Sequence, residues 1–337
     1  MFPHNFPLSS IRNWLLTAFL LLAGCTSFDH LTRIPPAGET GPKASECGSC
    51  QVQQYREWQT TVHAKASTSA SFLEAAGNPP EEECLQCHSP LGVRDGTMVH
   101  RTFNKDEGIT CVSCHLVDGA MHGPRGSTAL VSPHRIQEDR TAYASPSVCA
   151  PCHGETLEQW RKATAQQNAP TCQECHQGSV QRTVTQGTNL FSNILVAFEQ
   201  KGATRSHDIN LERMARPPEG ITITVPPPLK GPKAAVIEVM VRNMLPHDLP
   251  TGTYGSKEIR LVVVSGKGER LQEVVISNAN HALTSGEAKK VQVSLAKIDH
   301  GSAPLRLDLE RHSASFPDRN PIILASVPID PVAEAQP

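Results

Sequence analysis

Five C-x-x-C pairs lie between Cys47 and His176, and four of them are followed directly by His. These four are Cys84-Leu-Gln-Cys87-His88, Cys111-Val-Ser-Cys114-His115, Cys149-Ala-Pro-Cys152-His153 and Cys172-Gln-Glu-Cys175-His176. Two thiols add across the two vinyl groups of one porphyrin and the adjacent imidazole reaches the iron, so C-x-x-C-H is the attachment signature of c-type haem. A Cys₄ zinc site does not need His after each second Cys, and a disulfide framework does not need it either. The pattern therefore predicts four covalently bound haems with these four histidines as axial ligands.

The first pair, Cys47-Gly-Ser-Cys50, is followed by Gln51 instead of His. A neutral amide is a poor ligand for haem iron, so a haem bound here needs another proximal group or has an open position. Three interpretations stay open: a disulfide, which an oxidising compartment permits, an unusual haem, and thiols with another use. We expect four haems, or five if Cys47 and Cys50 also bind one.

The N-terminus has the pattern of an export signal. Arg12 closes a weakly positive start, residues 14–22 form a short apolar run, and Ala23-Gly24-Cys25 follows. The run is shorter than the ~20 residues that a bilayer-spanning helix needs. The sequence resembles the bacterial lipobox, which implies a signal peptide over 1–24 and lipidation of Cys25. An ordinary secretory signal is the alternative. Because Thr26 follows rather than Asp, the resemblance implies anchoring at the outer membrane, on its periplasmic or cell-surface side.

Composition divides the remaining chain into three parts. Residues 25–45, rich in Pro and Gly, predict an extended tether. Residues 46–215 contain all the other cysteines, and aromatic residues make up only 4% of the chain. This small supply of large apolar side chains is typical of an interior filled by porphyrin, so we expect a multihaem domain made mostly of helices and loops. Residues 216–330 lack Cys and predict a second domain, which gives an α+β fold class.

The second domain shows the period-two alternation of strands with one buried face. In 305–310, for example, every second residue is Leu and the residues between are charged. The apolar runs cover 221–225, 234–242, 258–264, 271–276, 291–296, 305–310 and 321–327. Seven strands separated by turns predict an antiparallel, immunoglobulin-like β-sandwich, and a small barrel is the alternative.

A family resemblance begins after the first pair. Tyr55, Trp58 and Val62 recur at helical spacing, and His63 follows. The order C-x-x-C, Tyr-x-x-Trp, Thr-x-His and then Gly-Ile-Thr-Cys-x-x-Cys-His from Gly108 resembles the tetrahaem cytochrome family of ammonia-oxidising bacteria and its multihaem relatives. In those proteins the His after the Trp is a distal axial ligand. The resemblance implies this role for His63.

Three further histidines are candidates for distal ligands. His122 matches the His that follows the Gly-Ile-Thr-Cys-x-x-Cys-His motif in this family. His134 precedes Cys149 at a loop-like position, and His207 follows the last motif after a helical stretch expected around residues 189–201. For any one of them, a solvated surface histidine is the alternative. His100 and His247 are two further candidates for the same role if one of these three does not bind iron. His247 lies in a Pro-His-Asp-Leu-Pro-Thr-Gly segment, in which Pro and Gly favour an ordinary structural turn.

These residues predict an electron carrier. Iron with two His ligands has no free position for a substrate and exchanges only electrons. We therefore expect four mostly bis-His haems in an exported respiratory chain, with a donor and an acceptor that the sequence does not identify. The alternative is a reductase of a small nitrogen or sulfur oxyanion with one open haem, and a third interpretation is self-assembly through the β-domain. The net charge of −2 excludes a strong field for nucleic acid.

Overall fold

The computed structural model describes residues 30–36, 38–94, 98–128, 132, 134–165, 170–188, 193–194, 196–209, 220–225, 236–252, 257–295, 304–313 and 320–329. The chain divides into two compact units. The first comprises the described parts of 1–144 and 179–208, and the second comprises those of 145–178 and 209–337. The predicted signal peptide and Cys25 lie outside the described residues. Within the described ranges, no helix is long and apolar enough to cross a membrane.

The first unit consists of short helices joined by turns. The helices are α1 Ala44–Cys47, α2 Val52–Trp58, α3 Ala70–Ala76, α4 Glu82–His88, α5 Cys111–His115 and α6 Arg140–Ala144, with a 3₁₀ turn at Lys105–Glu107. Strands β1 Leu116–Val117, β2 Ala120–Gly123 and β3 Ile136–Glu138 form a small sheet, and β4 Ser179–Arg182 pairs with β5 Gly202–Arg205. The helix expected after Cys50 ends at Trp58, and His63 lies in the turns that follow.

The second unit combines two helices with seven strands. A 3₁₀ turn at Pro146–Val148 precedes helix α7 Ala150–Thr164, and helix α8 is Cys172–His176. The strands are β6 Ile221–Thr224, β7 Val236–Asn243, β8 Lys257–Ser265, β9 Arg270–Asn278, β10 Ala288–Ser294, β11 Leu305–Ser313 and β12 Ile322–Ile329. Each strand lies on one of the seven predicted runs, so the α+β prediction is confirmed.

The seven strands form two antiparallel sheets, with the orders β10-β7-β6 and β12-β11-β8-β9. In the second sheet Leu307 pairs with Val263 on one side and Val327 on the other. Leu305, Leu307 and Leu309 are at most 1% exposed. Buried side chains from both sheets form one hydrophobic core, as expected where two sheets each bury one apolar face.

The limits of the units differ from the predicted division at residue 216. Residues 145–178, which contain the last two C-x-x-C-H motifs, group with the strands. One reason is a set of hydrogen bonds from α7 to the turn that follows β7. Gln159 Oε1 accepts from the Asp248 backbone N–H at 3.2 Å and from Thr251 Oγ1 at 2.9 Å, and Thr156 Oγ1 lies 2.7 Å from Thr251 Oγ1.

The apolar core of the first unit is small. Its described cluster contains Phe72, Ala76 and Leu85, with Leu73 and Cys84 packed against it. So small a cluster cannot offset the conformational entropy of ordering a unit of this size. Other interactions therefore have to hold this unit together.

We expect Leu307→Ala to lower the free energy of unfolding by about 2–5 kcal/mol, because it removes a fully buried side chain between the two sheets. Val275→Ala is the matched control, since Val275 is 47% exposed on β9, the edge strand of the same sheet, and its truncation should change stability by less than about 0.5 kcal/mol. Urea unfolding followed by far-ultraviolet circular dichroism measures both. Equal losses in the two variants would contradict the position of Leu307 in the core.

Candidate haem-binding site

The C-x-x-C-H motifs lie on single helical turns. Helices α5 and α8 each begin at the first Cys of a motif and end at its His. The threonine before each helix caps it, and in α8 Thr171 Oγ1 accepts from Glu174 N–H while Glu174 Oε2 accepts from the Thr171 N–H at 2.7 Å. One helical turn brings both thiols and the imidazole close together, which is the arrangement that attachment of one porphyrin requires.

Two of the motif histidines are oriented by backbone carbonyls. His88 Nδ1 donates to Ala66 O at 2.7 Å, and His115 Nδ1 donates to His122 O at 2.6 Å. Since a carbonyl can only accept, Nδ1 carries the proton and Nε2 keeps a lone pair for a metal. Aromatic rings stack on both imidazoles, Phe72 on His88 with centroids 4.1 Å apart and Tyr143 on His115 at 5.1 Å.

Gly108 and Arg101 shape the loop before Cys111. Gly108 has φ +63°, and a Cβ at this position would lie 2.3 Å from the His63 carbonyl oxygen, so only glycine fits. The buried Arg101 guanidinium donates to a set of loop oxygens, namely Pro90 O, Asn104 O, Gly108 O, Thr110 Oγ1 and Ser113 Oγ. Burial lowers the pKa of Arg101 to about 10, so it stays charged at neutral pH and continues to hold this loop.

The first unit brings His207 to His115. Their ring centroids are 6.0 Å apart, with 33° between the ring planes. Burial, the nearby His115 and the Arg182 guanidinium lower the pKa of His207 to about 3. Burial also lowers the pKa of His115. Both imidazoles are therefore neutral at neutral pH, which is the form that binds a metal.

The second unit brings His247 to His176. Their ring centroids are 6.4 Å apart, with 25° between the ring planes. Burial, His247 and His153 lower the pKa of His176 to about 4, and burial lowers the pKa of His247. The sequence favoured a simple turn role for His247. The structure places its ring next to the last motif histidine, because the hydrogen bonds of Gln159 hold the 248–251 turn against α7.

In each of the two histidine pairs, the distance between the rings fits two ligands of one iron. Two imidazoles that bind one metal ion from opposite sides, each at about 2 Å, have ring centres about 6 Å apart. Both pairs match this spacing with a motif histidine and a histidine from elsewhere in the same unit. The donor set, two neutral imidazoles and two adjacent thiols, is the one that c-type haem requires.

The other predicted distal ligands are placed differently. His63 lies beside the loop that leads into Cys111, with its carbonyl accepting from the Ile109 N–H at 2.9 Å. His122 Nδ1 is buried, has no hydrogen-bond partner among the described residues and lies 4.0 Å from Asp139 Oδ2. His134 Nδ1 lies 3.3 Å from Arg135 O. Within the described part of the chain, neither the His122 ring nor the His134 ring stacks on another imidazole.

The third C-x-x-C-H motif, Cys149 to His153, has its own geometry. Cys149 precedes α7, and His153 has non-helical backbone angles inside that helix, with φ −115° and ψ 37°. Burial and the nearby Lys257 lower the pKa of His153. The Cys149 and Cys172 thiols are hydrogen-bonded to each other, and this bond lowers the pKa of Cys172 to about 7. The attachment points of the last two motifs are therefore in contact.

The Cys47 pair has the same local form as the motifs. The Gln51 N–H donates to Cys47 O at 2.8 Å, so the pair also lies on a helical turn. The Cys47 thiol is hydrogen-bonded to the Cys111 thiol, which lowers the pKa of Cys47. None of the ten described cysteines forms a disulfide in this structure.

Comparison with known proteins agrees with this geometry. The family model "Cytochrome c554 and c-prime" matches residues 46–116. The penta-heme cytochrome c552 from Thermochromatium tepidum is similar in structure, with a TM-score of 0.56 at 16% sequence identity, over 86% of this chain and 99% of that one. A β-glucuronidase from Bacteroides uniformis aligns over 33% of this chain and 13% of its own at 14% identity, but its TM-score of 0.20 carries no argument. No curated protein matches the chain.

The family match covers the Cys47 pair and the next two motifs, and the structural likeness extends over both units. At 16% identity this likeness shows a shared fold. The family match and the shared fold therefore support a multihaem c-type cytochrome.

Proposed function

We propose that this protein transfers electrons through haem c groups bound at the four C-x-x-C-H motifs. The observation that carries the proposal is the pair of imidazole spacings, 6.0 Å for His115–His207 and 6.4 Å for His176–His247. Haem supplies a one-electron redox centre when bound. Two histidines that fill both axial positions leave no place for a substrate, so these two centres carry electrons only.

The thiol contacts support a path between neighbouring haems. In the first unit the Cys47 and Cys111 thiols touch, and in the second the Cys149 and Cys172 thiols touch. The chain thereby holds neighbouring attachment points side by side within each unit. The remaining assignments, His63, His122 and His134 as distal ligands, stay part of the proposal.

We extend the proposal to a fifth haem at Cys47 and Cys50. The helical turn at this pair supports it, as does the structural likeness to a penta-heme cytochrome. Gln51 occupies the place of the proximal His, and this observation favours a second candidate function. An iron without that His has an open position and could reduce a small nitrogen or sulfur oxyanion. Steady-state reduction of nitrite or hydroxylamine by the pure protein would favour the second candidate.

We also propose an immunoglobulin-like sandwich for β6–β12. Its support is the packing of a three-stranded sheet and a four-stranded sheet on one shared core.

For location, we propose export and lipid anchoring at the outer membrane through Cys25, with redox proteins as donor and acceptor. The Ala23-Gly24-Cys25 sequence supports the anchor.

Removal of a proposed distal ligand should open one iron. We expect His247→Ala and His207→Ala each to convert one low-spin haem into a high-spin haem that binds carbon monoxide, because each loses one axial nitrogen. Paramagnetic resonance and optical spectra of the full-length protein measure this. His281→Ala, in an exposed turn of the second unit, is the control and should leave the spectra unchanged. An unaltered spectrum for His247→Ala would disprove the second axial pair.

The haem count tests the fifth site. Intact mass together with a pyridine haemochrome should give five haems for the wild-type protein and four for the Cys47→Ala/Cys50→Ala variant, because thioether attachment requires those thiols. The matched variant Cys84→Ala/Cys87→Ala should also lose one haem. If the first variant keeps the wild-type count while the second loses one, Cys47 and Cys50 do not bind haem.

The anchor has a separate test. Cys25→Ser should move the protein from the membrane fraction to the soluble exported fraction, because lipid chains at Cys25 provide the attachment. Fractionation followed by immunoblotting measures the change, and the haem content of the variant is its control for correct export and maturation. Membrane attachment that survives the substitution would contradict lipidation at Cys25.

A further inference from the structure

The two histidine pairs differ in the group that faces the second imidazole nitrogen. His88, His115 and His247 each direct Nδ1 at a backbone carbonyl, at 2.7, 2.6 and 3.0 Å. His207 also has a hydrogen bond to a backbone carbonyl, that of Arg205, but its Nδ1 lies 3.3 Å from Nη2 of Arg182, which donates to the same carbonyl at 2.8 Å. The pair in the first unit therefore has one imidazole beside a cation.

A guanidinium and a carbonyl have opposite effects on an imidazole ligand. An imidazole that binds a metal through Nε2 carries a proton on Nδ1, and a carbonyl that accepts this proton raises the basicity of the ligand. Arginine has five donors and no acceptor, so Arg182 cannot accept that proton and instead donates to the Arg205 carbonyl that His207 also uses. Its positive charge withdraws electron density from His207, which makes His207 a weaker donor to iron.

Arg182 is fixed in this position. Its side chain is 5% exposed, Nη1 donates to Glu57 Oε1 at 2.8 Å, and Nη2 donates to Arg205 O at 2.8 Å. The second oxygen of Glu57 accepts from the His207 backbone N–H at 2.7 Å. Glu57 therefore holds both the arginine and the segment that carries His207, and the guanidinium stays beside the ring.

The charged groups near the two histidine pairs also differ. A second guanidinium, that of Arg94, lies 4.8 Å above the ring of Tyr143, which stacks on His115. The carboxylates of Glu57 and Asp139 pair with the two arginines. In the second unit, His247 Nδ1 faces the carbonyl of Asp248, whose carboxylate is the nearest charge along the chain. The first pair thus lies beside two guanidiniums, each paired with a carboxylate. His247 lies beside the Asp248 carboxylate, and the Lys257 ammonium donates to the Thr251 carbonyl in the same turn.

We infer that Arg182 raises the reduction potential of the iron between His115 and His207 above that of the iron between His176 and His247. Ferrous iron carries one positive charge less than ferric iron, so a neighbouring cation and a weaker imidazole donor both favour the reduced state. Electrons therefore reside preferentially on the iron of the first unit. This inference rests on the proposed electron-transfer function.

A redox titration followed by paramagnetic resonance tests the inference. Signals are assigned by their loss in His207→Ala and His247→Ala. In the wild-type protein, the ferric signal assigned to the His207 pair should disappear at a higher potential than that of the His247 pair. If the ferric signal of the His247 pair disappears at the higher potential, the inference is overturned, and no variant of Arg182 is needed for this result.

Variants then isolate the arginine. Glu57→Gln is combined with Arg182→Gln, so that no unpaired carboxylate is left buried. Compared with Glu57→Gln alone, the double variant should shift the ferric-to-ferrous ratio of the first-unit iron towards ferric by about tenfold at a fixed potential. Arg182→Lys keeps the charge and should stay near the wild-type value.

The matched control is Arg161→Gln, which also removes an arginine paired with a glutamate, Glu158, but on an exposed part of α7. It should leave both potentials unchanged. If the haems are present and low-spin but the double variant matches Glu57→Gln, the role of Arg182 is wrong and the electron-transfer proposal stands. If the low-spin signals are absent from the wild-type protein, the electron-transfer proposal itself fails.

Discussion

The buried guanidinium of Arg101 is the interaction on which the arrangement of the first unit depends. It donates to two side-chain hydroxyls and three backbone carbonyls that lie on both sides of Arg101 in the chain, between the Cys84 motif and the end of the Cys111 motif. A charge taken out of water needs such partners, because an unpaired buried cation would cost several kcal/mol. The need to satisfy Arg101 therefore fixes where the loop from Pro90 to Ser113 runs, and with it the position of the Cys111 motif.

Among the described residues of the first unit, this polar network takes the place of a large contiguous apolar core. The described cluster around Phe72 and Leu85 is small, whereas the strands of the second unit share a continuous core. A c-type haem would add a large apolar surface and two covalent links at each attachment turn. Folding of the first unit should therefore depend on haem attachment in the way that small metal domains depend on their metal, whereas the sheets have their own source of stability.

The sequence predicts the local parts of this protein well. The seven strands depend on an alternation of period two within a few residues, and they were found where that pattern placed them. The C-x-x-C-H motifs are equally local, since each lies within or directly beside one helix. The position of His247 could not be predicted in this way. The His247 ring lies beside His176 because Gln159 on α7 binds the 248–251 turn. The turn-forming residues of this segment do not predict a contact with a residue so far away in the sequence. The Pro-His-Asp-Leu-Pro-Thr-Gly segment was the available signal, and the structural role of its Pro and Gly concealed the second role of its His.

The electronic difference that we propose between the two histidine pairs could not be predicted from sequence patterns at all. Arg182 lies on β4, which pairs with β5, the strand that leads into His207. Glu57 lies on the distant α2, and it binds both Arg182 and the His207 N–H. A motif specifies which residue can bind iron, but the group that faces the second nitrogen of that residue is chosen by the tertiary fold. Two sites with the same ligands can therefore have different potentials. In a multihaem protein this choice decides where electrons reside, and it allows a chain of repeated motifs to contain sites that are not equivalent.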